Sequence, residues 1–172
     1  MNEPHNPYSA GSAVPVDAGD AMGLADRGTR LGAAIIDVII MLLVMMPIMY
    51  VGGYFRTVME KAAAGEQPSL LYVLMWGLVG LVLFAAIQFI PLSQSGQTWG
   101  KRALGIRIAD MAGNKPPIGT LLFKRYLPWQ VGSSIPYVGA LVALVNVLLI
   151  FRDDRRCGHD LIAGTQVLKG RV

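Results

Sequence analysis

The sequence predicts an all-α integral membrane protein. It is a small helical bundle of two full spans plus a C-terminal helical hairpin, three to four membrane segments in all, with a short two-stranded cytoplasmic β element. Three observations carry that expectation. The composition is 53% hydrophobic and only 15% charged over 172 residues, with a mean hydropathy of +0.49, whereas a soluble domain carries about a quarter charged residues. The apolar residues also fall in blocks instead of at a core-forming period. Residues 31–51 and 70–90 are each 21 residues long, the length at which a helix crosses a bilayer. Finally, the 15 Lys and Arg divide as two before the first block, two between the blocks, six in 91–130 and five after 151. Cytoplasmic loops collect such residues, so the loop 52–69 is read as external. The composition argues against a soluble enzyme, a nucleic-acid-binding domain and a disulfide-stapled module, and the single Cys157 leaves no intramolecular disulfide.

Taken in order, residues 1–23 are rich in Pro, Ala, Gly and small polar residues without a period. Such a segment buries too little apolar surface to offset its ordering entropy. We read it as a disordered N-terminal tail, with residues 24–172 as the transmembrane domain. The tail lacks the basic stretch and apolar core of a signal peptide, so the first span reads as an uncleaved anchor. That span starts near Asp26 or Gly28 and runs towards Pro47. Gly28 and Gly32 form a small-xxx-small pair at its start, where backbones can approach closely. In the loop 52–69, Arg56, Glu60 and Lys61 stand at helical spacing before a break at Gly65 to Pro68, which suits a short surface helix. The second span carries no charge and is expected to end at Pro91.

After Pro91 a polar turn leads to Trp99, a residue suited to the membrane interface. Leu104, Ile106 and Ile108 then alternate with Gly105, Arg107 and Ala109, the period of a half-buried strand. Residues 164–169 form a second short strand candidate, and an isolated strand is unstable, so the two are expected to pair. They can pair only if both lie on one side of the membrane. The last apolar stretch is interrupted by Pro128, Gly132, Ser133, Ser134 and Pro136. Two shorter helices, about 118–133 and 137–151, would return the C-terminus to the cytoplasm and place 13 of the 15 basic residues there.

Asp37 sits inside an apolar run, where an aspartate at a helix centre costs about 2.5–3.5 kcal/mol on insertion scales. It should face the protein interior and find a partner. Arg30 is seven residues earlier, on the same helical face, but with backbones about 10 Å apart at 1.5 Å rise per residue. A direct contact would be strained, so a partner on another segment is expected. Asp160, after the charged run 152–156, either caps a short helix through a backbone N–H or receives Arg30. Cys157 and His159 alone are too few ligands for zinc. The Gly96 to Lys101 stretch lacks the strand–loop–helix context of a phosphate loop.

Three motifs stand in order: Arg30-Leu-Gly-Ala-Ala-Ile-Ile-Asp37, then Gly96-Gln-Thr-Trp-Gly-Lys-Arg-Ala-Leu-Gly-Ile-Arg-Ile-Ala-Asp110, then His159-Asp-Leu-Ile-Ala-Gly-Thr-Gln-Val167. Together they resemble the RDD family of bacterial membrane proteins, named for one arginine and two aspartates. By position these correspond to Arg30, Asp37 and Asp160. Trp99 stands where an aliphatic residue is usual. The resemblance implies a small multi-pass protein of the inner membrane, proposed to take part in transport, with sodium–proton antiport suggested for some members.

Two functions follow as expectations. In the first, the protein moves a small ion or solute: Asp37 binds a proton or cation, Arg30 tunes its charge state, and Asp160 completes the cluster. One copy has too few helices to enclose a pathway, so transport would need a homo-oligomer or another membrane protein. In the second, Arg30, Asp37 and Asp160 are structural and the protein is a scaffold. Under either, Lys101, Arg102, Arg152, Arg155 and Arg156 are expected to meet anionic headgroups. Both termini are expected in the cytoplasm. No enzyme activity, cofactor, metal or nucleic acid is expected.

Overall fold

The computed structural model describes residues 23–133 and 138–170; the tail expected over 1–23 lies, apart from Gly23, outside them, as do the Ser134 and Pro136 breaks. Two long helices dominate: α1 (Arg27–Val51) and, after the short α2 (Tyr54–Ala63), α3 (Leu70–Ser95). At 25 and 26 residues they are about 37–39 Å long at 1.5 Å per residue, more than a hydrocarbon core of about 30 Å. Neither is the core helix of a soluble protein. Leu43 is 72% exposed and Leu71 is 78% exposed, and large apolar side chains stand out along both. A continuous apolar surface of this extent suits lipid. Around the start of α3, Tyr54 stacks on Tyr72 and meets Trp76 edge-on, residue types that favour the membrane boundary.

The second span does not end at Pro91. α3 continues to Ser95 and stops at Gly96, which adopts φ 64° and donates its N–H to the Leu92 carbonyl. Proline lacks the N–H that would bond the carbonyl four residues back. Trp99 supplies the missing donor: its Nε1 bonds the Ile87 carbonyl at 2.9 Å. Ser95 Oγ and the Gln97 N–H in turn donate to the Pro91 carbonyl.

The chain then forms α4 (Trp99–Ala103) and strand β1 (Ile106–Asp110). A π-helical segment, Thr120–Tyr126, runs into α5 (Leu127–Ser133), and α6 (Val138–Leu148) ends in a 3₁₀ turn, Leu149–Phe151. Each arm of this pair has 14 residues (120–133 and 138–151), about 20 Å at helical rise and short of a full crossing. Helix α7 (Gly158–Ala163) and strand β2 (Thr165–Lys169) complete the chain.

Strands β1 and β2 pair antiparallel, Ile108 opposite Val167. The start of the domain joins them: Lys169 N–H donates to Gly23, Ala25 N–H to Val167, and Leu24 bridges Leu168. The end of α3 joins as well, through Ile108 N–H to the Gly96 carbonyl. Ala25, Ala33, Ile106 and Val167 form one small core, and Leu92, Ile108 and Leu121 another. Both ends of the domain therefore meet at the end of the bundle where α1 begins and α3 finishes.

Candidate functional site

Two polar clusters lie at that end. The first is built on Asp160, which is fully buried. It occupies the third position of α7, and its carboxylate accepts the Cys157 N–H at 3.1 Å, satisfying a helix-start donor. Gly164, at φ 63°, turns the chain from α7 into β2 and so brings Thr165 back to Asp160, 3.2 Å away. Two guanidiniums close the site. Arg30 Nη2 donates to Oδ2 at 2.5 Å, and Arg125 Nη1 donates to Oδ1 and, at 2.5 Å, to Thr165 Oγ1. Arg30 also donates to the Arg155 carbonyl. One carboxylate thus ties α1, the π-helical segment, α7 and β2 together. Isolated π turns are uncommon and recur at functional positions, and this one carries Arg125, which is 1% exposed.

Burial alone would raise the Asp160 carboxyl, but the Arg125 and Arg30 charges and the Cys157 N–H outweigh it and hold it well below the usual carboxylate range. His159 behaves in the opposite sense. Burial, reinforced by the Arg125 charge, lowers its imidazole to about 3, so it is neutral; its Nδ1 lies 2.9 Å from Asn146 Oδ1. Burial pushes the Cys157 thiol up. Cys157, His159 and Asp160 offer ligand atoms within 4.8 Å of one another. A cation there would lie against Arg30 and Arg125 and would have to displace them from Asp160, so the trio is a poor metal centre.

The second cluster is built on Asp37. Its Oδ1 accepts Gln88 Nε2 at 3.0 Å and the Gly100 N–H at 2.8 Å, and its Oδ2 accepts Thr98 Oγ1 at 2.5 Å. Gln88 is fully buried and its own Oε1 takes the Trp99 N–H at 2.9 Å. Gly100 is required by space: a Cβ there would sit 2.1 Å from the Ala33 carbonyl oxygen. Lys101 lies between the clusters. Burial and the Arg125 charge lower its ammonium to about 8 against the pull of Asp37 and Asp160.

The single Arg30–Asp37–Asp160 cluster expected from the sequence is therefore corrected. Arg30 reaches Asp160, while Asp37 is held by donors from α3 and α4. The physical reason is the distance along α1, about two turns, together with three neutral donors at closer range. Arg125, Gln88, Thr98, Gly100 and Thr165 were missed. Two signals were available: Gln88 is the sole amide in an uncharged span, and Arg125 is as costly near the membrane as Asp37.

A sequence model of the RDD family matches residues 24–164. An uncharacterized protein of Haemophilus influenzae is 33% identical over 94 residues, 54% of this chain; the match spans 58% of that relative, a little over half its length. YckC, an uncharacterized protein of Bacillus subtilis, is 29% identical over 138 residues, 80% of each chain. No solved structure matches significantly.

Proposed function

The chain belongs to the RDD family, and from that premise we propose that it is a non-transporting membrane scaffold whose Arg/Asp clusters lock the fold. The observation that carries this reading is that both carboxylates are saturated by protein donors: Asp160 by Arg30, Arg125, Cys157 and Thr165, and Asp37 by Gln88, Thr98 and Gly100. A carboxylate that binds and releases an ion has to surrender partners in each cycle. In this reading the protein sits in the cytoplasmic membrane with α1 and α3 crossing and the short arms forming a re-entrant hairpin. Both ends of the domain lie in the cytoplasm. The meeting of Gly23 with Lys169 supports a shared side, and the basic-residue count supports the cytoplasm.

Proton- or cation-coupled transport is the second reading, favoured by Lys101. Among the described residues its ammonium donates only to Thr98 Oγ1, at 3.5 Å, and with a value near 8 it can exchange a proton close to neutral pH. Vesicles reconstituted with the purified protein and a pH-sensitive dye separate the two. The scaffold reading expects no cation-dependent flux above empty vesicles and a lower unfolding midpoint for Asp37→Asn. A flux that Asp37→Asn abolishes in a stable protein replaces it with transport.

A further inference from the structure

A cavity of about 270 Å³ opens between the start of α1, α4 and the C-terminal hairpin. Four of its lining side chains are cationic (Arg27, Arg30, Lys101 and Arg125) and none is acidic. Arg30 and Arg125 share the one charge of Asp160. Among the described residues Arg27 hydrogen-bonds main-chain carbonyls, those of Ile150, Phe151 and Arg152, and no carboxylate. Lys101 has no carboxylate bonded to it among the described residues, and Asp37, which acts on it through space, is already held by three neutral donors. Four cations thus stand against Asp160 and Asp37, an excess of two. Arg125 is buried, and its Nε has no acceptor among the described residues. A buried guanidinium N–H left without an acceptor is costly beside a membrane.

Apart from Arg27, the mouth of the cavity is apolar. Leu31, 57% exposed, stands at the start of the lipid-facing run of α1, and Phe151, 65% exposed, stands at the end of the hairpin. A basic floor with an apolar exit matches a ligand with an anionic head and hydrocarbon tails; guanidinium and ammonium groups are the usual partners of phosphate. We infer that this cavity seats the phosphate of an acidic phospholipid, with its acyl chains leaving past Leu31 and Phe151. The site stands whether the clusters lock the fold or exchange protons.

The test uses the full chain in detergent, titrated with short-chain phosphatidylglycerol, with phosphatidylcholine and with inorganic phosphate. Bound lipid is counted by native mass spectrometry and the unfolding midpoint is followed. Phosphatidylglycerol is expected to bind at one equivalent and raise the midpoint, while the other two do not. Lys101→Gln should weaken phosphatidylglycerol about fivefold, the value of one basic contact near a membrane surface, and Lys101→Arg should restore it. Arg56→Gln, on the external face of α2 and paired with Glu60, should change nothing. If Lys101→Gln does not fold, Arg27→Gln at the exposed rim makes the same test. Equal binding of the two lipids, equal losses from Arg56→Gln and Lys101→Gln, or inorganic phosphate binding as tightly as phosphatidylglycerol would each overturn the lipid assignment.

Discussion

Without the Asp160 carboxylate, Arg30 and Arg125 would be two buried guanidiniums with no carboxylate between them. Asp160→Ala is therefore expected to lower stability by about 3–5 kcal/mol, the usual cost of orphaning a buried charge, measured by thermal unfolding in detergent. Arg30→Ala combined with Asp160→Ala should cost less than the sum of the two single losses, since the pair fails as a unit. The pH dependence separates Asp160 from its neighbour. The folded pKa of Asp160 is depressed, so its contribution is complete above the unfolded value of about 3.9 and is lost only as pH falls below it. His159 is depressed from 6.5 to about 3, so between those limits the unfolded state binds a proton that the folded state refuses. Stability should then fall by about 2 kcal/mol from pH 7 to pH 5, and His159→Gln should flatten that slope. At this scale the sequence exposes Asp37, because a charge in an apolar run is visible by itself, and Arg30 and Asp160 through helical spacing and the motifs they stand in. It offers Asp160 as the partner of Arg30 but not the remaining partners: Arg125 meets Asp160 across 35 residues and Gln88 meets Asp37 across 51, and helical spacing carries no information about such pairs.

Two joints between elements can be tested separately. Trp99 donates to the Ile87 carbonyl because Pro91 cannot. Trp99→Phe should cost about 1 kcal/mol in the natural chain, the worth of one lost hydrogen bond. In a Pro91→Ala background the cost should be smaller, since the substituted residue brings its own N–H to the Ile87 carbonyl; thermal unfolding of the four proteins checks this. The second joint is the crossing of α1 and α4. Gly100→Ala drives a methyl into the Ala33 carbonyl and should cost about 3 kcal/mol or more, because backbone cannot move aside as a side chain can. Gly28→Ala, where an added Cβ meets nothing within 4 Å, should be neutral or mildly stabilising. The long spans were legible from length and hydropathy alone. The alternation at 104–109 overlaps β1. The continuation of α3 beyond Pro91 was not legible, since the donor that replaces the proline N–H is an indole eight residues later, and neither was the π-helical turn, which carries Arg125 to Asp160.

Seen whole, the molecule has an apolar pair of spans closed at one end by aromatic residues and at the other by a polar cap of sheet, short helices and ion pairs. The two ends differ in access. Cysteines introduced in a Cys157→Ser background at Ala63, on exposed α2, and at Met111, 58% exposed beyond β1, should report it. In intact cells an impermeant maleimide is expected to label position 63 and spare 111; the reverse pattern would invert the orientation. Cys157 itself is unsuited to such labelling, being buried at 7% exposure. The hydropathy blocks and the Lys/Arg bias made the general plan readable. Of the cap, the paired strands and an Arg30–Asp160 contact were expected; Arg125, Gln88, Thr98 and Thr165 were not, because they join it from segments far apart in the chain.

That assembly sets an order on biogenesis. Arg30 and Asp160 are separated by 130 residues, so at a synthesis rate of about 5–20 residues per second the arginine waits roughly 6–25 s for its counter-ion to leave the ribosome. During that interval the first helix carries an unanswered charge at the edge of the bilayer. Nascent chains stalled before residue 160 should consequently be seated loosely in the membrane and be open to quality-control proteolysis, and protection should arrive abruptly, once the last strand can close on the first residues of the domain.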